Sequence, residues 1–281
     1  MSMSVPTRPE PIMARAATEN FPVASWLLPG ALRAHLLAIY GFARLTDELG
    51  DEAPGDRLAA LDWLSSELDR SFEGRATHPL LRALEPTIAA CGLSREPFER
   101  LIEANRVDQR VHSYETWAGL LEYCHLSADP VGELVLGVFG VATPERTALS
   151  DAVCTALQLT EHWQDIREDL ARGRVYLPLE DLARHGCTIE DLKATRVSER
   201  LRRVLALEAA RTASLFRHGD SLVADLHGWA RLAVAGYAGG GRAALEAIAL
   251  ADYEVLALNP RPTRRRTAGA IVRLLLRAAG G

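Results

Sequence analysis

The chain has 281 residues, 48% of them hydrophobic and 25% charged, the balance of a soluble globular protein with a substantial core. A net charge of −5 argues against a nucleic-acid partner, which would need a basic face. With no cationic segment leading into an apolar run and no 18 uninterrupted apolar residues, neither a signal peptide nor a spanning helix is predicted, and the expected compartment is the cytoplasm.

Residues 1–17 hold three prolines and little hydrophobic pattern, so a mobile tail is predicted, with 18–281 as one domain. From Phe21 onward apolar residues recur at three- and four-residue spacing. This predicts helices over 31–49, 57–72, 79–91, 97–107, 114–140, 145–170, 196–225, 228–257 and 267–278. Gly50 to Gly55, Thr77 to Pro79, Gly92 to Pro97, Thr143-Pro144, Gly173 to Pro178 and Gly186 to Thr188 carry turn chemistry between them. Strand-like alternation is almost absent, so the expected fold class is all-α. Cys91, Cys124, Cys154 and Cys187 form no CxxC pair and read as reduced thiols in helices. The run Gly239–Gly241 reads as a helix break. Neither a P-loop nor a dinucleotide fingerprint is present.

Two of these helices repeat one pattern. In the first, Tyr40, Arg44, Asp47 and Asp51 stand at offsets 0, 4, 7 and 11. In the second, Gln158, Glu161, Asp165 and Asp169 stand at 0, 3, 7 and 11. At 3.6 residues per turn, each set falls on one stripe, with successive aspartates roughly 6 Å apart along the axis. A solvated acidic face is the ordinary meaning of one such pair. Here the acids stand beside or within the apolar stripe, and if both stripes face one cavity the carboxylates converge. At ~6 Å and an effective dielectric near 20, each like pair then costs about 3 kcal/mol, which raises pKa values or recruits a cation. Oxygen ligands without His or Cys favour Mg²⁺ shared with substrate phosphates. Arg44, Arg172 and Arg174 suit the remaining phosphate oxygens.

DELGD (47–51) and QDIRED (164–169) resemble the two DxxxD motifs of the squalene/phytoene synthase family. The flanking ENFPVASWLLP, YCHLSADPVG, GRVYLPLEDL and GRAALEAIALADYEVL are similar to that family too, from about Glu19 to the C-terminus. ENFPVAS, LSADPVG and YEVLALNPRPTRRR resemble its hopanoid-pathway, hydroxysqualene-forming branch. The resemblance implies a single-domain isoprenoid synthase bundle with a central apolar channel. It implies Mg²⁺ ligation by Asp47, Asp51 and Asp165 with Asp169 close by, Glu161 standing where many members have Asn. It implies diphosphate contacts from Arg44 and Tyr40. It also implies substrate contacts from Gln158 and the segment around Asn20 and Phe21; Tyr123, Gln164, Arg172, Arg174 and Tyr176 are further candidate substrate-binding residues, Gln164 departing from the Arg that dehydrosqualene synthases often have.

The implied chemistry is ionisation of a farnesyl-derived diphosphate, with the cation held in an apolar cavity that excludes stray water. Phe21, Tyr40, Tyr123 and Trp163 either shield that cation or simply pack the core. The first reading is conversion of presqualene diphosphate to hydroxysqualene by water quench. The alternative is condensation of two farnesyl diphosphates to presqualene diphosphate or squalene. A catalytically silent assembly factor of the same fold is a third. Other squalene and hopanoid pathway enzymes are the expected partners. RPTRRRTAGAIVRLLLRAA sets six arginines around an apolar stripe, either a final surface helix or a peripheral membrane contact.

Overall fold

The computed structural model describes residues 28–279, so the predicted tail and the expectations for Asn20 and Phe21 lie outside the described residues. These residues fall into two compact units, 28–110 with 130–147, and 111–129 with 148–279. The all-α expectation holds: among the described residues the one strand-like pairing is an isolated bridge between Ser113 and Val175.

The first unit is built on α1 (Gly30–Asp51), α2 (Arg57–Phe72), α3 (Pro79–Cys91) and α4 (Glu96–Asp108). The stripe Leu36, Ile39, Phe42, Leu45 and Leu49 turns one face of α1 into the core, where α2, α3 and α4 pack on it. Phe42 meets Phe98 of α4 edge to face at 5.0 Å. Local chemistry sets the ends. Asp56 caps α2 by accepting the Ala59 N–H at 3.0 Å, and Gly92 stops α3 at φ 61°. Gly50 of DELGD is required by packing, since a Cβ there would collide with the Asn105 side chain of α4. The Gly50 carbonyl also accepts from Gln109 Nε2 at 2.9 Å, so the acidic end of α1 is pinned to α4. In α6 (Asp129–Val138), residues from Pro130 belong to this unit.

The second unit holds α5 (Trp117–Ser127), α7 (Pro144–Gln164) from Ala148 onward, α8 (Ile166–Ala171) and α9 (Leu179–Arg184). A 3₁₀ turn (Ile189–Lys193) leads into α10 (Glu199–His218), α11 (Asp220–Asp225), α12 (Gly228–Leu250) and α13 (Arg264–Ala279). α12 packs on α10 and α13, and α13 also covers α11. Residues 174–180 are strapped along 112–115, with Val175, Leu179 and Glu180 donating to the carbonyls of His112, Tyr114 and Glu115 at 2.8, 2.9 and 3.0 Å.

Several predicted helices are shorter than their periodicity. The 114–140 segment divides before α6 because Pro130 has no N–H to carry the ladder onward. The 196–225 segment divides at Gly219, and 228–257 stops at Leu250, where Asp252 and Tyr253 turn left-handed at φ 53° and 58°. The 145–170 segment bends at Asp165 (φ −104°, ψ 19°). There Asp165 N–H still reaches Glu161 O and Asp169 N–H reaches Asp165 O, both at 2.9 Å, so Asp165 keeps its own backbone bonds while the helix divides around it. The glycine run corrects the opposite way: Gly239–Gly241 lies inside α12 and is buried. A Cβ on Gly239 would sit 2.6 Å from Ile271 Cγ1 and one on Gly241 2.7 Å from Phe216 Cζ, so these glycines serve helix contact. The four cysteines are free, but Cys187 follows the turn after α9 instead of lying in a helix.

Candidate active site

In the first unit α1 carries Tyr40, Arg44, Asp47 and Asp51. Tyr40 is buried, whereas the Asp47 carboxylate is 50% exposed, with Arg44 Nη1 3.4 Å from its Oδ2. The stripe therefore runs from a buried phenol to accessible acids, the helix being held below them by the Gly50–Asn105 approach.

In the second unit the polar stripe gathers around a residue the sequence reading passed over. His162 is buried, with Nε2 3.2 Å from Gln158 Nε2 and Nδ1 3.7 Å from Asp169 Oδ2. Its ring lies flat on Tyr176 at 3.6 Å between centroids. Tyr176 in turn stacks near Tyr123 and Tyr114, at 5.8 and 5.9 Å. Burial pushes the imidazole pKa down, outweighing the pull of Asp169, so the ring is neutral at pH 7. A neutral ring accepting from Gln158 at Nε2 carries its proton on Nδ1, toward Asp169. His162, Asp169, Arg174 and Tyr176 line one small cleft with Ile166 and Leu192. The signal was present in the sequence: His162 occupies offset 4 of the second stripe, the offset Arg44 fills in the first.

Asp165 sits at the bend, ahead of α8. Burial, then Glu168 and Asp169, raise its carboxyl pKa, while Arg261 and Arg172 pull the other way. Arg261 was not expected from the sequence. Its place is set by Gln164, which is buried and donates its amide to the Pro260 carbonyl at 2.5 Å. Arg167 holds the same segment through Leu256 O at 2.8 Å. Glu161 is half-buried on α7, and Arg172 is exposed after α8. Trp163 is fully buried and donates to Thr212 Oγ1 at 2.9 Å, a core role. A separate grouping unexpected from the sequence, His125, Asp129 and Asp151, places one potential ligand atom each within 4.8 Å of the others. Asp129 there also accepts from Thr155 at 2.8 Å.

An all-helical chain with acid-bearing helices flanked by arginines is the build of an isoprenoid synthase that uses prenyl diphosphates. The squalene/phytoene synthase family model matches residues 14–277, and the chain belongs to that family. It is 38% identical over 212 residues to the hydroxysqualene synthase of Rhodopseudomonas palustris, covering 74% of this chain and 71% of that protein. Its fold matches the crystal structure of squalene synthase HpnC from Alicyclobacillus acidocaldarius with a TM-score of 0.80 and 50% identity, over 86% of this chain and 92% of that one. A dehydrosqualene synthase bound to a ligand shares the fold at a TM-score of 0.87 and 23% identity, over 97% of both chains. Among the described residues no helix is long and apolar enough to cross a membrane.

Proposed function

We propose that the chain is a Mg²⁺-dependent carbon–oxygen lyase that converts presqualene diphosphate to hydroxysqualene. The observation that carries this reading is the second acidic stripe, where the Asp165 carboxyl is raised by burial beside Glu168 and Asp169. Crowded carboxylates favour a bound cation, and a donor set of carboxylate oxygens suits Mg²⁺. In this reading Asp47, Asp51, Glu161, Asp165 and Asp169 supply metal ligands. Mg²⁺, when bound, stabilises the charge that develops on the departing diphosphate. Tyr40, Arg44, Arg172 and Arg174 bind diphosphate oxygens, while Asn20, Phe21, Tyr123, Gln158 and Tyr176 contact substrate. Gln164 acts one step back, through the Pro260 carbonyl that places Arg261 near Asp165.

The carbon–oxygen bond breaks with its electron pair leaving on diphosphate. The cyclopropylcarbinyl cation rearranges with ring opening, water adds its oxygen, and a proton is released. No hydride donor enters that balance. Likeness to a hydroxysqualene synthase supports the water quench. Likeness to a protein titled squalene synthase supports a second reading, head-to-head condensation of two farnesyl diphosphates. Purified protein given presqualene diphosphate and Mg²⁺ in ¹⁸O-water, without nicotinamide, decides between them. Hydroxysqualene carrying ¹⁸O is the expected product. Squalene formed only with NADPH, or presqualene diphosphate accumulating from farnesyl diphosphate, would replace the first reading with the second.

A further inference from the structure

The helix α13 presents a face that nothing among the described residues of the second unit covers. Ala270 and Leu274 of α13 are buried, and Ile271 lies against Gly239 of α12. The opposite face exposes Val272 (52%) and Leu276 (67%), one turn apart, with Arg265 and Arg273 on the same side. Six arginines and no acidic residue occur between 261 and 279. Arg266 reaches Glu246 at 3.7 Å and Arg277 reaches Asp220 at 3.9 Å. Among the described residues Arg264, Arg265 and Arg273 have no acidic partner.

The contacts of Ile271 with Gly239 and of Arg266 with Glu246 run α13 antiparallel to α12. The C-terminal end of α13 therefore lies toward the start of α12, where Trp229 and Leu232 are also exposed, at 43% and 48%. Exposed apolar side chains on and beside a helix rich in arginine and free of acids are the composition of a surface that rests in a membrane interface, its apolar side chains among the acyl chains and its cations on lipid phosphates. A second copy of the chain fits poorly. A two-fold contact over this face would set the same unpaired arginines against themselves.

We propose that the exposed side of α13, together with the start of α12, docks on an anionic lipid surface, with Trp229, Leu232, Val272 and Leu276 entering the interface and Arg265 and Arg273 meeting lipid phosphates. The full chain should co-sediment with vesicles of phosphatidylcholine and phosphatidylglycerol but not with phosphatidylcholine alone, and high salt should release it. R265E/R273E should weaken that binding by about tenfold or more. V272S/L276S should weaken it at low salt as well, with the helical circular dichroism of both variants unchanged because all four side chains are exposed. Equal binding to neutral and anionic vesicles, or variants that bind like the parent, would overturn the proposal. So would V272S/L276S turning an oligomer into a monomer while the parent ignores vesicles, because the face would then belong to a second copy.

Discussion

Asp181 and Glu208 are both fully buried and share one guanidinium. Arg211 Nη1 lies 2.6 Å from Asp181 Oδ2 and 3.0 Å from Glu208 Oε1, while Arg184 takes Asp181 Oδ1 at 2.8 Å. Glu208 Oε2 has no hydrogen-bond partner. A proton on Glu208, donated toward Asp181, removes both the orphaned oxygen and the repulsion between the two carboxylates. Burial first, then Asp181, push the Glu208 pKa up to about 8 against the pull of Arg211. The folded state thus holds this proton more tightly than the unfolded chain, whose glutamate titrates at its ordinary value. The contribution is complete below pH ~4.5 and is lost as pH rises through about 8, by roughly 5 kcal/mol in all. Thermal melts should show the parent losing stability from pH 5 to pH 8. E208Q, which keeps a donor with no charge, should flatten that part of the profile. Parallel profiles for the two proteins would mean that Glu208 is ionised throughout. Neither residue could be singled out in the sequence, because GRVYLPLEDL and the α10 glutamate read separately as solvated helix acids.

At the scale of elements, α12 contains two glycines with opposite roles. Around Gly236 nothing lies within 4 Å of a Cβ, whereas at Gly239 a Cβ would meet Ile271 N and Cα at 2.9 Å. An added methyl at Gly236 gains only helix propensity, up to about 1 kcal/mol. The same methyl at Gly239 presses on backbone that no rotamer change can move, at a cost of about 1–3 kcal/mol. G236A should therefore raise the melting temperature and G239A lower it. Stabilisation by both would show that α13 is not held where the close contact puts it. Composition hid this: a glycine triplet reads as a break unless the partner helix is known. The helices themselves were legible from their apolar spacing, and their ends wherever Gly92 or Asp56 supplied turn or cap chemistry. The bend at Asp165 was not, since periodicity continues through a residue whose dihedrals change while its hydrogen bonds persist.

For the molecule as a whole, the two acidic stripes and their flanking motifs carried the family, because metal and diphosphate chemistry constrains residue type and spacing together. His162 and Arg261 escaped because their contacts depend on tertiary placement, a tyrosine ring 14 residues on and a loop nearly a hundred residues on. The proposal that both stripes serve metal-dependent diphosphate chemistry has a thermodynamic consequence independent of product. A ligand at a hundred times its dissociation constant stabilises the fold by about 2.7 kcal/mol. For a chain of this size that is on the order of 5 °C in melting temperature. Mg²⁺ with farnesyl thiodiphosphate should produce such a shift, and either one alone should produce much less. D47N and D165N should each lose the shift and turnover together while melting like the parent without ligand, because Asp47 is half exposed and Asp165 is relieved of like-charge crowding. A full shift in D165N would remove the second stripe from the metal site and leave its raised carboxyl without a catalytic purpose.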